Sequence, residues 1–309
     1  MSKYSIAFFH EFKRPPWGGS NTFTLALKKE LEKWGVYILE NRVTKDTRAC
    51  LLNAYLFDPD KIAKIKRDYP GIKIVHRIDG PIGIYRGTDL DIDHKIHEMN
   101  TRLADATIFQ SEYSLIKHRE HGMVFKKPVI IQNASDPSIF NSKGKINYSS
   151  ERRGKIFAAS WSDGLKKGFA LYKWLDTHLD WDKYEFTFVG RAPEKYKDYN
   201  FKHVRYIKAM SSGPLAREIK NHDVYLTASQ DESCSNSLIE GLTCGLPAVY
   251  ISSGGHPEIV KKGGVSFSGQ DDVLVAINEV FQNYEKYRMQ ISVYSIQEIA
   301  DKYLRVLLP

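Results

Sequence analysis

The sequence predicts an α/β protein made of two consecutive parallel-sheet domains, and three observations predict it. Short apolar runs of strand character alternate with segments of helical periodicity along nearly the whole chain, a pattern that implies right-handed βαβ units and sheets covered on both faces. The chain has 309 residues, too many for most single cores. Residues 141–154 are polar and almost free of apolar side chains, which reads as a linker between two halves.

Taken in order, the first half predicts a strand at 4–9, a helix at 20–34, strands at 36–39 and 50–56, and a basic helix at 59–68. A strand at 73–78, a helix at 92–103, a strand at 106–110, a helix at 112–121 and a strand at 129–132 complete it. The second half predicts a strand at 156–160, a helix at 168–178, strands at 185–189 and 204–207, a helix at 214–221 and a strand at 224–228. A helix begins within 231–247; strands near Ala248 and Val265 and helices at 272–284 and 295–307 follow. The expected organisation is a Rossmann-like domain at 1–140, a linker at 141–154, a second Rossmann-like domain at 155–290, and a C-terminal helical segment at 291–309 that could pack back towards the first domain. Ligands of such sheets bind outside the carboxyl ends of the strands, so the turn loops of both halves are expected to face a cleft.

Composition narrows the class. At 42% hydrophobic and 27% charged the chain is an ordinary globular protein. No apolar run reaches the length of a membrane span, and the first ten residues carry too short an apolar segment for a signal peptide. A cytoplasmic location is the expectation. Cys50, Cys234 and Cys244 have no ligand-like spacing, which argues against a disulfide framework or a structural zinc site. The net charge of +8 favours anionic partners without choosing among nucleotide sugars, phospholipids and nucleic acid.

The most informative stretch is 231–247, Asp231-Glu232-Ser233-Cys234-Ser235-Asn236-Ser237-Leu238-Ile239-Glu240-Gly241-Leu242-Thr243-Cys244-Gly245-Leu246-Pro247. It follows a buried-strand pattern and switches to helical spacing at Leu238, Ile239 and Leu242, so it reads as strand, turn and helix N-terminus. Such a turn offers free backbone N–H groups, from about Ser233 to Ser237, at the positive end of a helix dipole, where phosphate or sugar oxygens bind well. Glu232 would sit in the turn and Glu240 about one turn into the helix. Two glutamates at this spacing are common in a charged chain; the frame around them, with Gly254-Gly255-His256-Pro257-Glu258-Ile259-Val260 after the next strand, is what argues for function.

This Glu-x7-Glu arrangement with its Gly-Leu-Pro and Gly-Gly-x-Pro-Glu-Ile-Val frame resembles the donor site of retaining glycosyltransferases of family four, which have the GT-B fold of two Rossmann-like domains facing across a cleft. The resemblance implies that Glu232 approaches the transferred sugar and that Glu240 holds the ribose hydroxyls of the nucleotide. It covers most of the chain. Pro15-Pro16-Trp17-Gly18-Gly19-Ser20-Asn21 is similar to the family's Gly-Gly loop, with Gly18 and Gly19 letting the main chain approach the donor phosphates; a plain turn capped by Ser20 is the simpler reading. Val129-Ile130-Ile131-Gln132-Asn133-Ala134-Ser135-Asp136 through Phe140 resembles the closure of the family's first domain, with Gln132 and Ala134 where Pro and Gly are usual.

Other positions depart from the family. Asp79, in His76-Arg77-Ile78-Asp79-Gly80-Pro81, stands where a His is common. It could orient the acceptor hydroxyl or steady charge at the anomeric carbon, or cap the Gly-Pro turn. Lys167 can place a positive charge on the departing pyrophosphate. The Arg usual about five residues earlier is Ser162 here, and Arg191, ending the next strand, could supply the second cation or form a surface salt bridge. Lys61, Lys64, Lys66 and Arg67 lie on one predicted helix; weak contact with an anionic membrane surface is one reading, and a solvated face is favoured because the few apolar residues are needed for the sheet.

The implied reaction moves a sugar from a GDP- or UDP-type sugar to a hydroxyl of a glycan or lipid with retention, without cofactor or metal; the Asp89-Leu90-Asp91-Ile92-Asp93 run reads as the acidic start of a helix. A nucleotide-sugar 2-epimerase of the same architecture, and a basic non-catalytic binding protein, are the alternatives. No Gly-x-Gly-x-x-Gly follows a predicted strand, which argues against a nicotinamide enzyme. Nucleic acid is not an expected partner.

Overall fold

The computed structural model describes residues 4–13, 18–146 and 148–308. The chain separates into two compact units. One comprises residues 1–13, 23–133 and 294–309, the other residues 14–22 and 134–293.

The first unit is built on β1 (Ser5–Phe9), β2 (Tyr37–Glu40), β3 (Thr47–Asn53), β4 (Lys73–Ile78), β5 (Ala106–Phe109) and β6 (Pro128–Ile130), paired in the order β2-β1-β3-β4-β5-β6. All five pairings are parallel. Central strands of such a sheet are covered on both faces and so are apolar throughout: every residue of β1 is buried. The edge strand β2 shows solvent Tyr37 and Glu40 and buries Ile38 and Leu39 between them. Helices α1 (Gly19–Lys33), α2 (Pro59–Asp68), α3 (Ile82–Arg86), α4 (Leu90–Leu103) and α5 (Glu112–Glu120) link the strands.

In α2, Ile62 and Ile65 are buried in the sheet's core, while the Lys61 ammonium donates to the Asn41 carbonyl at 2.6 Å and that of Lys66 to the Leu103 carbonyl at 2.8 Å. Two of this helix's basic side chains thus bond backbone carbonyls of neighbouring segments, while Lys61, Lys64 and Arg67 remain exposed. The short α3 has no apolar periodicity to announce it. Asp93, 1% exposed, makes it: its two carboxylate oxygens accept the N–H groups of Ile82 and Gly83 at 2.7 Å each. The acidic run thus starts one helix and caps another.

The second unit pairs β7 (Gly154–Ser160), β8 (Tyr184–Gly190), β9 (Arg205–Lys208), β10 (Val224–Thr227), β11 (Ala248–Ile251) and β12 (Gly264–Phe267) in the order β12-β11-β10-β7-β8-β9, again all parallel. Its helices are α6 (Phe169–His178), α7 (Ser212–Lys220), α8 (Asn236–Thr243), α9 (His256–Val260), α10 (Gln270–Gln282) and α11 (Tyr284–Met289). The chain reverses its winding between β7 and β10, the point at which doubly wound sheets bind ligands. In the first unit that point lies between β1 and β3.

The expected linker at 141–154 belongs to the second unit. Lys145 donates to the Tyr284 hydroxyl at 2.8 Å, and Arg152 grips the buried Asp223 with both nitrogens at 2.7 and 2.8 Å. Asn147, within it, lies outside the described residues. The division falls after Asn133, not after Phe140. The last helix, α12 (Ile296–Leu307), belongs to the first unit. Its start is a capping box: the Glu298 N–H donates to Ser295 Oγ at 3.2 Å and the Ser295 N–H to Glu298 Oε2 at 2.7 Å. Ile296, Ile299, Ala300, Tyr303 and Leu307 form its buried stripe. Among the described residues no helix is long and apolar enough to cross a membrane.

Candidate active site

In the second unit the loops after β7 and β10 meet at the switch point. After β7 the chain forms a 3-10 turn at Leu165–Lys167, then Gly168 with φ 82° before α6. A Cβ at Gly168 would lie 2.6 Å from Ala228 Cβ, so only glycine lets the two loops close to this distance. The Gln230 N–H donates to the Lys166 carbonyl at 2.8 Å. Both lysines then reach carboxylates of the β10 loop: Lys166 Nζ lies 2.6 Å from Asp231 Oδ2 and Lys167 Nζ 2.5 Å from Glu232 Oε1.

The Glu232 turn is fixed from a second side. Gly254, with φ 62°, touches its backbone so closely that a Cβ would lie 2.3 Å from the Glu232 carbonyl oxygen. The Gly255 N–H donates to that carbonyl at 2.8 Å, and the Asp231 N–H to Ser253 Oγ at 2.9 Å. Burial would raise the Glu232 carboxyl, but the charges of Lys167 and His256 and the bonds from Lys167 and Ser229 outweigh it and bring it down to about 2. It is ionised at any working pH.

Glu240 is the opposite case. It sits in α8, 9% exposed, and no donor or cation of the described residues bonds its carboxylate. Burial alone pushes it up to about 8. The helix can lie this deep because Gly241 faces Tyr225, where a Cβ would stand 2.2 Å from ring Cδ2. Ser233, Cys234 and Ser235 are buried in the turn, Ser235 flanks the helix start with no side-chain cap bond, and its Oγ is 3.3 Å from that of Ser237.

Asn236, the first residue of α8, packs on Gly19: a Cβ there would come 2.4 Å from Asn236 Nδ2. Gly18 faces the Trp161 ring, with Cδ1 3.3 Å from where its Cβ would be. The same ring carries Arg191, whose guanidinium carbon is 4.4 Å from the ring centroid. Arg191 is exposed and has no carboxylate partner among the described residues. Two of the loop cations are already matched by carboxylates; this one is held by an aromatic face that leaves its charge uncompensated. Pro15, Pro16 and Trp17, also in the expected Gly-Gly loop, lie outside the described residues.

In the first unit Asp79 joins a polar chain at the carboxyl ends of the strands. Arg77, 1% exposed, donates from Nη1 to Asn53 Oδ1 and to Asp79 Oδ1, 2.7 Å each, and from Nη2 to Asn133 Oδ1 at 2.9 Å. Gln110 donates to the same Asp79 oxygen and receives from Asn133 Nδ2 at 2.8 Å. His76 is buried in the sheet, donates from Nε2 to the Ala54 carbonyl at 2.6 Å, and is pushed by burial down to about 4.

The second unit therefore brings together, among the residues the sequence singles out, Glu232, Lys167, Glu240, the Ser233–Ser237 turn, Gly18, Gly19 and Arg191. Sequence reasoning assigns no role to Trp161, to His256, or to the Ser253–Gly255 brace. The sequence signal for all of them is position: each follows the carboxyl end of a strand, β7 at the switch point or β11 beside β10. Among the described residues no group of three His, Cys, Asp or Glu could hold a metal ion.

Residues 168–286 match the family model described as glycosyl transferases group 1. Sucrose synthase 1 of Tulipa gesneriana is 27% identical over 261 residues, covering 76% of this chain and 31% of that protein, so the chain spans about a third of the length of this curated relative. Among solved structures, the sucrose-phosphate synthase of Thermosynechococcus elongatus superposes with a TM-score of 0.72 at 12% identity, covering 99% of this chain and 95% of that one. The catalytic domain of starch synthase IV from Arabidopsis thaliana, bound to ADP and acarbose, gives 0.72 at 12% identity over 99% of both chains. HepE of Anabaena, in complex with UDP-glucose, gives 0.66 at 13% identity, covering 98% of this chain and 95% of that one. Likeness at these identities carries the fold.

Proposed function

We propose, from the match of residues 168–286 to the glycosyl transferases group 1 model and from two parallel sheets that superpose on GT-B structures, that the protein is a retaining glycosyltransferase that moves a sugar from a nucleotide diphosphate sugar to an acceptor hydroxyl of a glycan or lipid. The observation that carries the reading is the opposite state of the two glutamates eight residues apart in 231–247. Glu232 is an ionised carboxylate locked beside an ammonium, and Glu240 is a buried carboxyl with no bonding partner among the described residues.

Each state suits one task. The ribose of a nucleotide presents two neighbouring hydroxyls, donors that a buried, unpartnered carboxylate lacks. Glu240 takes them. Glu232, fixed in front of α8, faces the sugar and stabilises the positive charge that builds at the anomeric carbon as the bond to the diphosphate breaks. The leaving diphosphate gains negative charge; the α8 N-terminus, the backbone at Gly18 and Gly19, Lys167 and Arg191 supply the compensating donors and cations. These groups do the work of a Lewis acid, so the proposed reaction needs no metal. A UDP- or GDP-sugar is the proposed donor, and the UDP-glucose complex of HepE supports the class. Asp79 enters as an acceptor-side carboxylate pinned in one orientation by Arg77 and Gln110.

The test is a panel of UDP-, GDP- and ADP-sugars with EDTA present, read by release of nucleoside diphosphate and by the anomeric configuration of the product. Release from one donor with retention supports the proposal. Silence across the panel, with no thermal stabilisation by any nucleotide, overturns it.

A further inference from the structure

His256 opens α9 directly after the glycines that brace the Glu232 turn. Its imidazole is fully buried. Nδ1 lies 3.2 Å from the Ile251 carbonyl oxygen, so Nδ1 carries the hydrogen and Nε2 the lone pair. Nε2 has no hydrogen-bond partner among the described residues. An unsatisfied buried nitrogen costs free energy and is uncommon in a folded protein, and this one belongs to the residue that follows Gly255, whose N–H donates to the Glu232 carbonyl at 2.8 Å.

Few charges face the ring. Burial, the largest influence, keeps it neutral; Glu232 favours the imidazolium and Lys167 opposes it. The influence is mutual, since His256 is among the charges that lower the Glu232 carboxyl. The neighbouring Lys166 and Asp231 neutralise each other at 2.6 Å.

We propose that His256 is a positioning residue for Glu232: neutral, it anchors the start of α9 whose Gly255 holds the Glu232 turn and leaves the carboxylate to Lys167, and protonated at Nε2 it draws the carboxylate away from Lys167 and stops turnover. The proposal rests on the reading that Glu232 faces the transferred sugar. A second cation competing for that carboxylate opposes positive charge building at the anomeric carbon, so the loss falls on kcat rather than on donor binding.

Two experiments test it. In the first, which needs no turnover, the His256 ring signal is assigned by its absence in His256→Asn and titrated by NMR in the wild-type protein and in Glu232→Gln. The midpoint is expected to fall in Glu232→Gln, because the carboxylate that favours the imidazolium is gone; an unchanged midpoint overturns the proposal. The second compares pH profiles of kcat and donor KM for the wild type and His256→Asn, whose amide can keep the bond to Ile251 but cannot titrate. The wild type should lose kcat as pH falls through the His256 midpoint, below the ordinary imidazole range, with KM steady, while His256→Asn keeps its kcat across that window. The same acid limb in both proteins overturns the proposal. A wild type silent on every donor overturns the glycosyl-transfer reading instead, and the NMR titration then decides the coupling alone.

Discussion

Glu232 and Glu240 share one loop-helix segment yet are held in opposite states, the first brought to about 2 beside Lys167 and the second raised to about 8 by burial. Glu240 therefore binds a proton in the folded protein at pH values where the unfolded chain has released it. Stability is fully present below the usual carboxylate range and is lost as pH rises towards 8, by a few kcal/mol in all. Glu240→Gln, which has no charge to bury, should melt higher than the wild type above pH 8 and with it below about pH 4. Thermal melts across that range check this.

The same residue should release a proton when nucleotide binds. Ribose hydroxyls that bond the carboxylate favour its charged form, so between the bound midpoint and about pH 8 binding expels a proton. Calorimetry in buffers of different ionisation enthalpy reads this directly, and Glu240→Gln should show no release and weaker nucleotide binding.

Lys167 and Glu232 act as a unit at 2.5 Å. Lys167→Ala and Glu232→Ala are each expected to lower kcat by about 100-fold or more, with circular dichroism unchanged. The double variant should lose much less than the product of the two, since either change alone dissolves the pair. Multiplicative losses would contradict the pairing.

Arg191 is expected to matter for the diphosphate and not for the nucleoside. Arg191→Ala should weaken nucleoside diphosphate binding by about tenfold, a loss in the range of 1–2 kcal/mol for an exposed cation on an anion, and leave nucleoside monophosphate affinity nearly unchanged. Trp161→Ala, which removes the ring 4.4 Å beneath the guanidinium, should reproduce part of that loss.

Asp79 can be separated into structure and chemistry. Arg77 is buried and relies on this carboxylate, so Asp79→Ala should destabilise the first unit by about 3 kcal/mol through an uncompensated charge. Asp79→Asn keeps a bonding oxygen and should cost less. If the Asn variant is well folded but inactive on acceptor while donor hydrolysis persists, the carboxylate serves the acceptor.

Much of this was legible in the sequence. Alternation revealed all twelve strand positions to within a few residues, because strands such as β1 and β10 are buried on both faces and carry unbroken apolar runs. The placement of Glu232 and Lys167 in loops after strands, and of Glu240 in the helix that follows, was legible because glycines and small polar residues mark places where a backbone must come close. What escaped depends on distant partners. The short α3 exists because Asp93 caps it from another helix. Arg191 finds Trp161 rather than a carboxylate across thirty positions of sequence. His256 filled the variable place of a Gly-Gly-x-Pro-Glu segment, and only its burial and its open nitrogen draw notice to it.

The first unit is assembled from separated stretches of chain, with α12 returning to β3 and β4 after the whole of residues 134–293 has been made. On the ribosome the second unit can close its core while the first still lacks a wall. Until Ile299, Tyr303 and Leu307 emerge, the sheet face they cover is bare, and a chain stalled or cleaved near residue 293 would carry a finished second unit and a sticky, incomplete first one.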